Sequence, residues 1–181
     1  MRYIDLTFVL AENNTSGAYG IALNTSNLTD NPTLYAANSA SGQFKNIHTS
    51  DYTLPSSTLS TNNSTTFTGT DGITFTFTYT ARVANQGRRF GTTNSNTGYV
   101  TITAPTGNGI SNGRITKVEI SYYNNRNAQT VTYTPTGGST TSNSKAEWNG
   151  TATQLRITMG AAREANRNIV SQLKVYYSYE Q

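Results

Sequence analysis

The sequence predicts an all-β fold, an antiparallel β-sandwich of jelly-roll or immunoglobulin-like type that follows an extended N-terminal arm. Residues 73–80 alternate strictly between large apolar residues and threonine, and a period of two sends successive side chains to opposite faces of a strand. Similar segments recur over residues 65–179, separated by pairs such as Asp71-Gly72 and Asn108-Gly109. Such pairs supply the positive φ angles that tight reversals need. No helical period extends beyond one turn at residues 161–165.

Each strand candidate is a short run rich in β-branched and aromatic residues, with apolar residues at alternate positions. The candidates are residues 65–68, 73–84, 98–104, 115–123, 130–134, 155–159 and 169–179, with a weaker one around 145–148. Their apolar rows predict the core residues Ile73, Phe75, Phe77, Tyr79, Val100, Ile102, Val118, Ile120, Tyr122, Leu155, Ile157, Met159, Leu173, Val175 and Tyr177. Full burial of each such side chain contributes roughly 1.5–3 kcal/mol, so this core can stabilise a domain without a disulfide or a metal.

A division of the chain is expected near residue 60. The stretch 56–64 is low in complexity and follows Pro55, so residues 1–60 are interpreted as an arm with an early strand and long loops, and residues 61–181 as the sandwich. The early strand is predicted from the alternating residues Ile4, Leu6, Phe8 and Leu10. The arm holds two basic and four acidic residues, a net charge of −2, whereas the sandwich holds eleven basic and five acidic residues, a net charge of +6.

The composition favours an extracellular or particle-surface β protein. Thr, Asn and Ser make up 71 of the 181 residues and charged residues only 12%, while 12 Tyr, 6 Phe and 1 Trp supply core material that disordered chains lack. The absence of cysteine excludes disulfides and cysteine-based metal sites. Asp5 and Thr7 interrupt the N-terminal apolar stretch, so no signal peptide is predicted. No run approaches the roughly 20 apolar residues of a membrane span.

The residues do not predict catalysis, a metal site or a cofactor. His48, the single histidine, has Asp51 three residues away but no nucleophile elbow, so it is interpreted as a surface residue. The acidic residues show no calcium-loop spacing, and Glu119, a candidate for a glycosidase carboxylate pair, alternates outward beside Lys117 as on a solvated face. The basic residues are spread over strands and loops, without a nucleic-acid-binding motif. We therefore predict a non-enzyme.

Two features are candidates for contact with a ligand or partner. The first is a set of aromatic residues, Tyr123, Trp148 and Tyr176, which are expected either to form a sugar-stacking platform or to pack at the sandwich edge and between strands or subunits. The second is a loop over residues 87–91, whose central residues are Arg88, Arg89 and Phe90. Two guanidiniums beside an aromatic ring can clamp a partner's carboxylate. The alternative is a solvated hairpin tip.

Five segments carry a resemblance to a known kind of module, and these are residues 67–73, 98–105, 114–122, 147–150 (Glu-Trp-Asn-Gly) and 172–177. In its strand rhythm and its Trp-Asn-Gly turn, the region 65–179 resembles a β-sandwich module of Bacteroidetes surface proteins and of the phages that infect those bacteria. The resemblance implies a non-catalytic domain that serves as a spacer, an adhesin or a virion-surface domain.

These observations favour a non-catalytic structural protein of a phage particle, an auxiliary, decoration or head-fibre-like capsid component located in the virion. A virion protein reaches the outside by host lysis and needs no export signal. The expected partners are other capsid proteins and further copies of this chain, joined by the arm through strand addition. The alternative is a carbohydrate-binding or adhesive module on the surface of a gut bacterium, with glycans as partners. Neither hypothesis includes specific nucleic-acid binding.

Overall fold

The computed structural model describes residues 34–37, 44–91, 97–125, 131–141, 144–160 and 168–180, which form two antiparallel β-sheets packed against each other. The prediction of an all-β antiparallel sandwich is confirmed. The strands are β1 (Leu34–Ala37), β2 (Phe44–Leu54), β3 (Thr66–Thr68), β4 (Thr74–Thr78), β5 (Thr80–Val83), β6 (Gly87–Phe90), β7 (Gly98–Thr103), β8 (Ser111–Tyr122), β9 (Val131–Thr134), β10 (Gly138–Thr141), β11 (Lys145–Ala152), β12 (Gln154–Met159) and β13 (Ile169–Glu180). The other elements within these ranges are a helix, α1 (Ser56–Thr61), and two 3-10 turns, Thr70–Gly72 and Tyr123–Asn125. The predicted early strand, with Ile4, Leu6, Phe8 and Leu10, lies outside the described residues.

One sheet has eight strands and the other has five. The larger sheet follows the order β1–β2–β13–β8–β11–β10, with β6 beside the start of β13 and β5 beside β6, and the smaller sheet follows the order β3–β4–β7–β12–β9. From β7 to β13 the chain changes sheet at every step except between β10 and β11. Immunoglobulin-like sandwiches keep more consecutive strands in one sheet, so this alternation favours the jelly-roll alternative.

The core lies between the sheets and is built from the inward rows of both. From the smaller sheet it includes Phe75, Phe77, Val100, Ile102, Leu155, Ile157 and Met159, and from the larger sheet Val118, Ile120, Tyr122, Trp148, Leu173, Val175 and Tyr177. Ile73, just before β4, is buried as well. The predicted core is therefore correct with a single exception, Tyr79, which is 57% exposed.

Tyr79 marks a corner at which the chain passes from one sheet to the other. β4 belongs to the smaller sheet and β5 to the larger one, and Tyr79 between them has a φ of 51°. A positive φ is uncommon for a non-glycine residue and turns the chain out of the extended path. The backbone N–H of Gly91 donates to the Tyr79 carbonyl at 2.9 Å. The prediction of a single strand over residues 73–84 with Tyr79 inward is therefore wrong at this corner.

The boundary expected at residue 60 is also corrected. β2 pairs with β13 from Leu54 opposite Leu173 to Ile47 opposite Glu180, so it is part of the sandwich and not of an arm. The low-complexity stretch 56–64, where the boundary was expected, begins with helix α1, which buries Leu59 to 2% exposure and packs on β6. The described residues 34–37 and 44–61 therefore contribute two strands and a helix to the folded domain.

Candidate functional site

The outer face of the eight-stranded sheet carries a ladder of charged side chains around Tyr176, here called the charged face. Its residues are Asp51 on β2, Lys117 and Glu119 on β8, Glu147 and Asn149 on β11, and Lys174 and Tyr176 on β13. In β8 and β13 these positions alternate with buried residues, so the period of two turns them outward.

Lys117 joins two carboxylates that oppose each other across β8 and β11. The register pairs Glu119 with Glu147, and like charges directly opposite destabilise a sheet. Lys117 Nζ lies 2.7 Å from Glu119 Oε1 and 3.0 Å from Glu147 Oε2, while Asn149 Nδ2 donates to Glu147 Oε1 at 2.6 Å. The hydrogen bonds to Glu119 and Glu147 raise the pKa of Lys117, and those from Asn149 and Lys117 lower the pKa of Glu147.

Tyr176 is engaged by two cations of its own sheet. The Nζ atoms of Lys174 and Lys117 lie 4.8 and 5.5 Å from its ring centroid, within the range of a cation–π contact. Its hydroxyl donates to Glu119 Oε1 at 3.4 Å, and Lys174 Nζ pairs with Asp51 Oδ2 at 3.0 Å. The charged face is therefore a network in which each cation already has a carboxylate partner.

The three aromatic residues predicted as a platform do not come together. Trp148 faces inward, is 1% exposed and donates from Nε1 to the Pro135 carbonyl at 3.1 Å. Tyr123 lies in the turn after β8, six residues beyond Lys117, the neighbour of Tyr176 in register. At roughly 3.3 Å per residue along a strand, this separation is about 20 Å. Trp148 therefore follows the packing alternative, and only Tyr176 belongs to the charged face.

The predicted loop at residues 87–91 is strand β6. It pairs with β5 and with the first residues of β13, and its inward positions bury Arg88 to 4% and Phe90 to 0% exposure. Arg89 is half-buried. Because Arg88 and Phe90 lie in the interior, the interpretation of this segment as an exposed carboxylate clamp or a solvated hairpin tip is corrected.

Arg88 is held inside the sandwich, and none of the described carboxylates pairs with it. Its guanidinium donates to the Asn62 carbonyl at 2.6 Å and to Thr80 Oγ1 at 3.3 Å, and lies 4.7 Å from the ring centroid of Phe77. Burial, together with the nearby Arg82, lowers the pKa of Arg88. Because Asn62 directly follows α1, the hydrogen bond from Arg88 to its carbonyl connects the end of the helix to β6.

His48 and Asp51 do not form a catalytic pair. The His48 ring stacks on Tyr179 with centroids 5.0 Å apart, whereas Asp51 pairs with Lys174 on the charged face. Among the residues that the structure describes, no three His, Asp or Glu side chains are grouped closely enough to hold a metal ion. No helix within the same ranges is both long and apolar enough to cross a membrane.

The outer face of the five-stranded sheet is different in kind, and we call it the threonine face. Ten threonines project from its strands: Thr66, Thr68, Thr74, Thr76, Thr78, Thr101, Thr103, Thr132, Thr134 and Thr158. The register aligns them in rows that cross the sheet, one of which runs Thr66, Thr76, Thr101, Arg156 and Thr134. Tyr99, Gln154 and Arg156 complete the face, and the Arg156 guanidinium lies 4.4 Å from the Tyr99 ring centroid.

A depression of about 420 Å³, here called the end pocket, lies at one end of this sheet. Three segments line it: residues 103–106, which begin at the last residue of β7, residues 110–114, which lead into β8, and residues 153–154, where β11 passes into β12. Thr103 and Gln154 belong both to the pocket and to the threonine face. No local pattern of the sequence predicts this pocket, because its walls come from three separate turns whose proximity depends on the strand order.

No protein-family model, no curated protein and no solved structure matches this chain. The resemblance to modules of Bacteroidetes and their phages therefore stays a prediction.

Proposed function

We propose that this chain is a non-catalytic structural protein of a phage particle, an auxiliary or decoration-type component that joins its neighbours through an edge of the larger sheet. The proposal rests on the position of the β1–β2 hairpin. Within the described residues β1 pairs with β2 alone, so one side of its backbone has no strand partner there. Residues 1–33, which contain the predicted early strand, lead directly into this edge.

The composition of β1 supports assembly at this edge. Natural edge strands are usually protected from strand addition by charges, proline, bulges or shortness. β1, with the sequence Leu-Tyr-Ala-Ala, has no charge and no proline, and its pairing with β2 is regular. Of these four devices, β1 has only its shortness, a length of four residues. An extended segment from a neighbouring subunit can therefore add to it by main-chain hydrogen bonds.

The charge distribution supports contact between unlike surfaces. The whole chain carries a net charge of +4, while the first 33 residues hold one basic and three acidic residues. A mildly acidic segment from one subunit is attracted to a basic sandwich of another subunit, at a strength that falls with salt. The partners in this proposal are other capsid proteins and further copies of the chain, in the virion.

The test compares two proline substitutions in β1, Tyr35→Pro and Ala36→Pro. Successive N–H groups of a strand point to opposite edges, so one substitution removes a donor to β2 and the other removes a donor on the free edge. We expect the native chain to be found by mass spectrometry in density-purified particles from cells that carry the gene. The variant that loses the donor on the free edge should keep the native melting temperature and be absent from the particle. The variant that loses the donor to β2 should have a lower melting temperature.

Tyr35→Ala controls for the loss of the tyrosine ring. Absence of the native chain from purified particles would contradict the virion assignment. Retention of both proline variants in the particle would contradict assembly through β1.

A carbohydrate-binding or adhesive surface module of a gut bacterium is the second candidate. The observation that favours it is the surface position of the Tyr176 ring among the hydrogen-bonding groups of Asp51, Glu119 and Lys174. A ring of this kind can contact a sugar while neighbouring carboxylates accept its hydroxyl protons. Glycan-array binding that Tyr176→Ala abolishes and Tyr123→Ala leaves intact would place this candidate first.

A further inference from the structure

The end pocket has the size of a ligand site. Its volume of about 420 Å³ falls within the range of roughly 300–1,000 Å³ that is common for small-molecule sites. A depression of similar size, about 440 Å³, lies on the charged face beside Asp51 and Tyr176, whereas the end pocket is concave between three segments of the chain. This concavity allows a ligand to contact three segments of the chain at once.

The walls of the pocket are fixed by backbone contacts. The N–H of Ala104 donates to the Thr153 carbonyl at 2.8 Å, which joins two of the three segments. Gly113 lies so close to the Pro105 carbonyl that a Cβ at this position would collide with it. The hairpin tip beside the pocket is closed by the N–H of Ile110, which donates to the Gly107 carbonyl at 2.8 Å. A pocket built in this way is preorganised, which lowers the ordering cost of binding.

The side chains that line the pocket suit a saccharide. Its uncharged polar side chains are the hydroxyls of Thr103, Thr106, Ser111 and Thr153 and the amides of Asn112 and Gln154. Hydroxyls and amides both donate and accept hydrogen bonds, as a ligand with many hydroxyl groups requires. Ile110 and Pro105 supply an apolar patch for the C–H groups of a sugar ring.

The charge of the pocket selects among saccharides. Among the described residues that line it, Arg114 is the only charged one, and its Nη1 donates to the neighbouring Gly113 carbonyl at 2.8 Å. The Glu180 carboxylate lies next to this lining, because Asn112 Nδ2 donates to Glu180 Oε2 at 2.9 Å. A guanidinium presents five donors in a planar fork that matches a carboxylate, so Arg114 has donors left for a ligand. Arg156 adds a second cation on the adjoining threonine face, two positions from Gln154 along β12.

We propose that the end pocket binds an acidic saccharide, with Arg114 on the sugar carboxylate and the amides and hydroxyls on its remaining groups. A longer saccharide continues from the pocket across the threonine face, because Gln154 and Thr103 lie on the boundary of both surfaces. The Gln154 amide donates from Nε2 to Thr103 Oγ1 at 3.4 Å. The inference goes beyond the proposed function, since such a site serves a particle component and a cell-surface module alike. It also differs from the Tyr176 site of the second candidate.

The experiment measures binding of the purified full chain by calorimetry to oligomers of a hexuronic acid and to the neutral hexose oligomers of the same linkage. We expect the acidic oligomer to bind at least about tenfold more tightly than the neutral one, and its affinity to fall as salt is raised. Arg114→Gln should weaken binding of the acidic oligomer about tenfold or more. Arg114→Lys, which keeps the charge and loses the planar fork, should give an intermediate loss.

Arg82→Gln is the matched control, because it makes the same change at an exposed arginine of β5 that belongs neither to the end pocket nor to the charged face, and it should leave the affinity unchanged. Melting temperatures of all variants show that the fold is retained. Unchanged affinity in Arg114→Gln, equal binding of the acidic and neutral oligomers, or no binding of either oligomer would each overturn the proposal. Loss of binding in Tyr176→Ala but not in Arg114→Gln would assign the sugar to the charged face instead. None of these outcomes depends on whether the chain is found in a phage particle.

Discussion

The charged face and the threonine face cover the same core from opposite sides, and they differ in the use of their polar groups. On the charged face, Lys117 bonds to Glu119 and Glu147, and Lys174 bonds to Asp51. A partner that docks on this face has to replace these ion pairs and strip water from their charges, which is costly. The rows of the threonine face contain one formal charge, Arg156.

Threonine suits a surface that is free to bind. Its branched side chain is restricted at χ1 and loses little freedom on contact, and its hydroxyl donates and accepts. The comparison indicates that the charged face stabilises the chain through its own contacts, whereas the threonine face and the adjoining pocket keep hydrogen-bonding groups for a ligand. Three measurements test this difference, in order of decreasing effect.

The largest effect on the free energy of unfolding is expected from Trp148→Ala, which tests whether the two sheets share one core. Trp148 is 1% exposed and Gly150 lies against its ring, so its truncation leaves a cavity and an unpaired Pro135 carbonyl. The free energy of unfolding should fall by about 3–5 kcal/mol, measured by urea denaturation. Thr132→Ala, at an exposed position of the threonine face, should stay within about 0.5 kcal/mol of the native chain. Separate unfolding transitions for the two sheets would contradict a shared core.

A smaller effect is expected from acid on the charged face. Because hydrogen bonds from Asn149 and Lys117 lower the pKa of Glu147 below its ordinary value of 4.5, this carboxylate contributes stability above pH 4.5 that is lost as the pH falls through its lowered pKa. Lys117→Met should weaken this acid dependence, and Glu147→Gln should remove the contribution of Glu147. The measurement is the urea midpoint over a pH series. An unchanged slope below pH 4.5 in both variants would show that the network does not stabilise the fold.

The smallest effect is expected on the threonine face. Thr76→Val and Thr101→Val replace a hydroxyl by a methyl group at neighbouring positions of one row and keep the branched shape that suits a strand. Each should change the free energy of unfolding by less than about 0.5 kcal/mol, with no dependence on salt. A loss well above this value would mean that the hydroxyls bond within the sheet and are not free for a ligand.

The sequence allowed the core and most strands to be predicted, because alternation reports directly which side of a strand is buried. The sequence did not predict strands whose inward row is not apolar. In β2 the positions that alternate with outward Asp51 are His48, Ser50, Tyr52 and Leu54, and in β6 an inward position is Arg88. It also failed at Tyr79, because the alternation continues through a change of sheet. Such a change depends on backbone φ and on distant contacts, which a local pattern does not contain.

The candidate sites were less predictable than the fold. The outward position of Glu119 beside Lys117 followed from the period of two, but the pairing of Glu119 with Glu147 depends on the register between β8 and β11. The rows of the threonine face likewise require the order of five strands. Trp148 gave no signal that separates a binding aromatic from a packed one, because its burial depends on Pro135 and Gly137 in another part of the chain.

The antiparallel pairing of β2 with β13 has a mechanical consequence. Ile47 at the start of β2 lies opposite Glu180 at the end of β13, and Leu54 lies opposite Leu173. Because the hydrogen bonds run perpendicular to the strands, a force that pulls residues 47 and 180 apart peels the pairs open one after another. A force between residues 47 and 173 instead loads all of them together in shear. The direction of an applied force therefore decides how strongly β2 resists separation from β13.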